Sequence, residues 1–96
     1  MNVFLDDERD WYEFVEGWIT VRSYEECISV LQKETIDILS LDHDLGTEKT
    51  GYDVLLWIEE QVKLNSFIPP REIRVHTANP VGRDRMLNAL KSIYSE

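Results

Sequence analysis

At 96 residues the chain has material for one domain, residues 1–96, and its 43% hydrophobic and 30% charged residues are those of a globular protein with a single core. The 19 acidic and 10 basic residues leave a net charge of −9, which repels nucleic-acid backbones and anionic membranes unless a metal or a local basic patch intervenes. The single cysteine, Cys27, excludes an internal disulfide and fits a reducing cytoplasm. The opening MNVFLDDERD lacks the features of a signal peptide, and no apolar run reaches the length of a membrane span.

In chain order, Val3 to Leu5 predicts a short strand that stops at Asp6-Asp7. Asp10 to Glu16 predicts one or two helical turns, and Trp18 to Val21 a second strand entered through Gly17. Ser23 with Glu26 is a capping-box pattern, followed by a helical stripe of Tyr24, Cys27, Ile28 and Leu31. Ile36 to Leu41 carries apolar residues at both parities, the mark of a central strand covered on both faces. A polar loop then leads to Thr50 and Asp53, a second capping-box start, and to the stripe Val54, Leu55, Ile58 and Val62. Ile73 to Thr77 alternates, which fits an edge strand. Asn79 and Pro80 open a last helix with the stripe Met86, Leu87, Leu90 and Ile93.

Strand and helix thus alternate four times, which predicts a parallel α/β sheet with right-handed crossovers and helices on both faces. Ligands of such sheets bind beyond the carboxyl ends of the strands, where strand order reverses. Asp6 and Asp7 follow the first strand, and Asp42, His43 and Asp44 follow the third. If those strands are neighbours, up to four carboxylates meet, and a hard divalent cation relieves their repulsion. Mg²⁺ prefers oxygen ligands and keeps several waters, leaving positions for a phosphate oxygen. The competing reading is that these aspartates cap turns. His43 and His76 lie near the same strand ends, where imidazole can serve as acid, base or orienting partner. Alternation turns His76 and Thr77 to opposite faces, which argues against both entering one cleft. Asn79, Gly82 and Arg83 open a helix whose N-terminus suits an anion, Arg83 being able to fork onto a phosphate. Arg22 is a weaker candidate. Trp18 reads as core. Trp11 either lines the cleft and stacks on a base or forms a lid over the first strand. Trp57 falls on the polar side of its helix and offers a partner surface.

The stretches VFLDDERD, DILSLDHDLGTEKTGYDVLLWI and IRVHTA resemble response-regulator receiver domains. Together, LDDxR, SLDHDLG, TGYDV and HTANPVGR resemble the divergent cyclic-phosphate processing receiver domains, over nearly the whole chain. The resemblance implies a flavodoxin/receiver-like three-layer sandwich with a four-stranded parallel sheet of order 2-1-3-4. It lacks the fifth strand, with its lysine, and the fifth helix of a full receiver. It implies that Asp6, Asp7 and Asp42 hold Mg²⁺ or Mn²⁺, Asp44 being added by the acidic cluster itself; His43 and His76, which an ordinary receiver does not have at these positions, are read beside Asp42 as the groups that carry the chemistry. Thr77, Asn79 and Arg83 would hold a phosphate. The implied function is a metal-dependent protein that hydrolyses or binds a cyclic phosphoester, on a small molecule or an RNA end. The alternatives are a non-enzymatic pseudo-receiver that binds a protein partner, and, less favoured, a true aspartyl-phosphate acceptor.

Overall fold

The apolar runs become the strands β1 (Asn2–Leu5), β2 (Trp18–Val21) and β3 (Ile38–Leu41), joined by β4 (Glu72–Val75). The periodic stripes become the helices α1 (Tyr24–Lys33), α2 (Gly51–Lys63) and α3 (Pro80–Tyr94). The coordinates are a computed structural model that describes residues 1–64 and 67–94. All four strands are parallel, in the order β2-β1-β3-β4. Among the described residues, no helix is long and apolar enough to cross a membrane.

Connection handedness decides the layers. The step from β1 to β2 runs across the sheet in one direction, and the steps from β2 to β3 and from β3 to β4 run in the other. Right-handed crossovers therefore put the first connection on one face and α1 and α2 on the opposite face. Val3, Leu5, Ile19, Val21, Leu39, Leu41, Ile73 and Val75 pack in one cluster with Cys27 and Leu31 of α1, Val54, Leu55 and Ile58 of α2, and Met86, Ala89 and Ile93 of α3.

The second face is covered differently from the expected helix. Residues 10–18 make successive tight turns, with the Glu13, Val15 and Trp18 amides bonded to the carbonyls of Asp10, Tyr12 and Val15. Gly17, at φ 85°, reverses the chain into β2. The aromatic side chains of this loop supply the third layer. Phe4, fully buried, lies under Trp11 and Tyr12, with ring centroids 5.7 and 5.2 Å away, and stacks on His76 at 4.5 Å. Burying a phenylalanine contributes about 1.5–3 kcal/mol, so this loop stabilises the fold as a helix would.

Two local expectations change. Leu87 is more than a third exposed, and Ala89 takes the core position between Met86 and Ile93, because the 4-3-4 spacing Gly82, Met86, Ala89, Ile93 follows the helical pitch. Trp18 is half-buried rather than core, since it lies on the outer strand β2 and stacks on Tyr12 at 4.0 Å. Trp57 is half-buried against Phe67.

Candidate functional site

Side chains two residues apart on a strand share a face. Thr20, Phe4, Ser40 and Arg74 form one cross-strand row on the aromatic face. Two residues on, past the strand ends, the same face carries Arg22, Asp6, Asp42 and His76. The ladder continues into this second row through backbone bonds from Asp6 to Val21, Asp42 to Leu5 and His76 to Leu41. Neighbouring parallel strands at matched register therefore bring two aspartates and a histidine together without any special loop. Asp6, Asp42 and His76 each offer a ligand atom within 4.8 Å of the others. Both aspartates are buried.

The two carboxylates are held differently. Asp6 Oδ1 accepts the backbone amides of Glu8 and Arg9, both at 2.8 Å. Asp6 Oδ2 accepts from Arg9 Nη1 at 3.3 Å and faces His76 Nε2 at 3.1 Å. Burial works to raise the Asp6 pKa, but these donors outweigh it and hold it below the ordinary carboxylate value. Asp42 Oδ1 accepts the His43 amide at 2.8 Å. Burial, followed by the Asp6 charge, pushes Asp42 above its ordinary value against the opposing hydroxyl of Thr77. Burial lowers His76, against the pull of Asp6. A neutral imidazole has one N–H. With Nε2–H donated to Asp6, Nδ1 accepts from the Ser40 hydroxyl at 2.7 Å. Both nitrogens of His76 are thus engaged.

Arginine supplies the local counter-charge. Arg9 Nη1, besides its bond to Asp6, lies 4.0 Å from Asp42 Oδ2 and donates to the His76 carbonyl at 3.2 Å. Arg22 Nη1 braces the same turn through the carbonyls of Asp6 and Arg9 at 3.2 and 2.9 Å, while its Nη2 pairs with Asp10.

A second cluster forms beside the first. His43 Nδ1 pairs with Asp44 Oδ1 at 2.9 Å, and Asn79 Nδ2 reaches Asp44 Oδ2 at 3.4 Å. The His43 ring lies flush against the first turn of α3: a Cβ on Gly82 would come within 2.5 Å of it. A Cβ on Gly51 would lie 1.8 Å from the Asp42 carbonyl oxygen, so α2 can start this close to the end of β3 only with glycine.

The sequence matches the family model of the cyclic-phosphate processing receiver domain over residues 1–92. The chain belongs to that family. Among solved structures, this receiver domain is similar to the MaeR response regulator bound to beryllium trifluoride, with a TM-score of 0.57 and 17% identity over 94% of this chain and 79% of that one. That likeness carries the fold. No match was found among curated proteins.

Of the residues the sequence singled out in this receiver domain, Asp6, Asp42 and His76 converge. Asp7 does not join them; its carboxylate lies against the Gly46 turn, where φ is 69° and a Cβ would sit 3.2 Å from Asp7 Oδ2. Asp44 belongs to the His43 cluster. Thr77 does enter the cleft with His76, contrary to the alternation argument: β4 ends at Val75, and beyond it the chain turns so that the Thr77 hydroxyl lies near enough to Asp42 to favour its charged form. The same hydroxyl oxygen accepts the Asn79 amide at 3.1 Å. Asn79 Oδ1 caps α3 through the Gly82 amide at 3.0 Å. Arg83 is exposed and reaches the Val75 carbonyl at 3.4 Å, beside the cleft rather than in it. Arg9 and Ser40 were missed as site residues. The signal for Arg9 was the LDDxR pattern, which puts a cation three residues after the first buried acid. Ser40 carried no signal beyond being the one polar residue inside β3.

Proposed function

We propose that this cleft binds and opens a cyclic phosphoester with a divalent cation, water adding to give a phosphomonoester and a free hydroxyl. The observation that supports it is the convergence of Asp6, Asp42 and His76 within 4.8 Å beside Arg9 and Thr77. The donor set fits an oxygen-preferring cation in part. Asp42 is a buried, raised carboxylate whose burden a cation would relieve, and Asp6 Oδ2 is the other oxygen such an ion would take. Mg²⁺ or Mn²⁺ suits these oxygens. His76 has no free lone pair in its bonded tautomer and serves to fix Asp6. A cation held there would draw charge from a phosphoryl oxygen. Arg9, freed from the carboxylates, has the planar fork that pairs with phosphate. Thr77 can turn its hydroxyl to the same anion. His43, paired with Asp44, would be the imidazole that moves a proton. The neighbouring fold carries beryllium trifluoride, a phosphoryl-shaped anion, in MaeR.

A second reading has one observation in its favour. Arg9 already sets one positive charge against the two aspartates from within the chain, 3.3 Å from Asp6 and 4.0 Å from Asp42, as a binding module without a metal would require. The test is turnover of 2′,3′- and 3′,5′-cyclic nucleotides and of an RNA ending in a cyclic phosphate, with Mg²⁺ or Mn²⁺. His43→Ala should lower turnover roughly 10²- to 10⁴-fold with folding intact. No turnover of any substrate by the folded, cation-supplied protein selects the binding module.

A further inference from the structure

We propose that Trp11 is a stacking platform for a nucleobase, so that the phosphoester taken by this cleft is a nucleotide. The inference rests on the phosphate-site reading above and adds the part of the ligand that reading leaves open. Trp11 is 60% exposed although it sits in the aromatic layer. Its ring is anchored by Phe4 at 5.7 Å and by His76 at 5.6 Å. The Arg9 guanidinium lies 5.0 Å from its centroid, and that same group bonds Asp6. One arginine thus separates an open indole from the buried carboxylates. A lid serving only to cover Phe4 would bury its ring; this ring stays 60% exposed beside the site, with the Arg9 guanidinium over it.

Every base presents a π-face, and stacking on tryptophan is tolerant of base identity. The net charge of −9 disfavours a nucleic-acid polymer, whereas a single nucleotide carries little charge against it. Phe14 is more exposed, at 95%, and Val15 is also exposed. A protein-docking patch would engage those two as well, but of the two aromatic rings, Trp11 is the one in contact with His76.

The experiment is calorimetric titration of the Mg²⁺-supplied protein with adenosine 2′,3′-cyclic phosphate and with glycerol 1,2-cyclic phosphate, which has no base. It would use wild type, Trp11→Ala, Trp11→Tyr and Phe14→Ala, with slow turnover controlled by Ca²⁺ substitution. Wild type should bind the nucleotide roughly 5- to 150-fold more tightly than the base-less ligand, the range that stacking supplies. Trp11→Ala should erase that difference, lowering the nucleotide affinity more than the base-less affinity. Trp11→Tyr should keep most of it, and Phe14→Ala all of it. If Trp11→Ala fails to fold, retention of the preference in Trp11→Tyr, with quenching of Trp11 fluorescence by nucleotide in wild type, carries the test. Equal wild-type affinities for the two ligands, or an equal loss in Phe14→Ala, overturn the platform and leave the phosphate site standing. Binding of neither ligand overturns both.

Discussion

His76 and Asp6 are 70 positions apart in sequence and share a hydrogen bond of 3.1 Å between Nε2 and Oδ2. Ser40 completes the chain from the other side of the ring, at 2.7 Å. This arrangement assigns the proton of neutral His76 to Nε2. Nitrogen NMR of the imidazole should show the Nε2–H tautomer, and Ser40→Ala should cost about 1–2 kcal/mol by leaving Nδ1 without its donor. A dominant Nδ1–H tautomer would sink the assignment.

The same pair sets a pH dependence. The folded pKa of His76 lies below its unfolded value of about 6.5. The unfolded state then binds more protons, so this contribution is fully present above that value and is lost as pH falls toward the folded pKa. Asp6, also lowered, adds a loss at lower pH, as it protonates below the unfolded carboxylate value of 3.8. Denaturant titrations from pH 7.5 to 5 should show stability falling, and His76→Gln should flatten that slope. A slope unchanged by His76→Gln would remove His76 as its source.

Under the proposed function, Arg9 and a divalent cation would compete for one pair of carboxylates. Arg9→Gln should lower the melting temperature without metal, because Asp6 and Asp42 lose their counter-charge. Added Mg²⁺ or Mn²⁺ should then raise it more than in wild type, since ligand binding stabilises the native state. Asp42→Asn should do the reverse. It removes the raised, repelled carboxylate, stabilising the metal-free protein by about 0.5–2 kcal/mol and blunting the response to metal. A response to metal that is identical in all three proteins would exclude this carboxylate pair as the cation site.

Two glycines should behave differently. Gly51→Ala would drive a Cβ into the Asp42 carbonyl at 1.8 Å, and backbone against backbone cannot yield. We expect destabilisation of about 3 kcal/mol or more, read from urea unfolding. Gly82→Ala meets the His43 ring instead, and a side chain can swing aside. That variant should fold with a smaller loss, yet release His43 from its pairing with Asp44, so that any turnover falls further than stability does. Equal stability costs for the two would contradict this packing.

Phe4→Ala tests the aromatic layer. A fully buried phenylalanine lost from beneath Trp11, Tyr12 and His76 should cost about 3–5 kcal/mol. It should also loosen His76, visible as increased exchange broadening of its ring resonances. A loss below 1 kcal/mol would mean that the loop does not act as a third layer.

The sequence by itself determined the sheet order, the edge position of β4, and the meeting of Asp6 with Asp42. Hydrophobic period marks strands and helices locally, the resemblance to receiver domains supplies their order, crossover handedness then fixes the face each connection takes, and matched register aligns the strand ends. The helix boundaries at Ser23, Thr50 and Asn79 were equally legible, because capping is written in adjacent residues. What only the tertiary structure decided lies past the strand ends and in the first loop. Once β4 stops at Val75, alternation no longer governs direction, so Thr77 could turn back to Asp42 beside His76. The loop from Asp10 to Gly17 became aromatic turns instead of a helix because its rings gain more by packing on Phe4 across the sheet than by local hydrogen bonding. Arg9 and Ser40 entered the site for the same reason. Ser40 partners His76, and Arg9 reaches Asp42 and the His76 carbonyl as well as the nearby Asp6; these cross-strand neighbours leave no trace in the spacing of one segment alone.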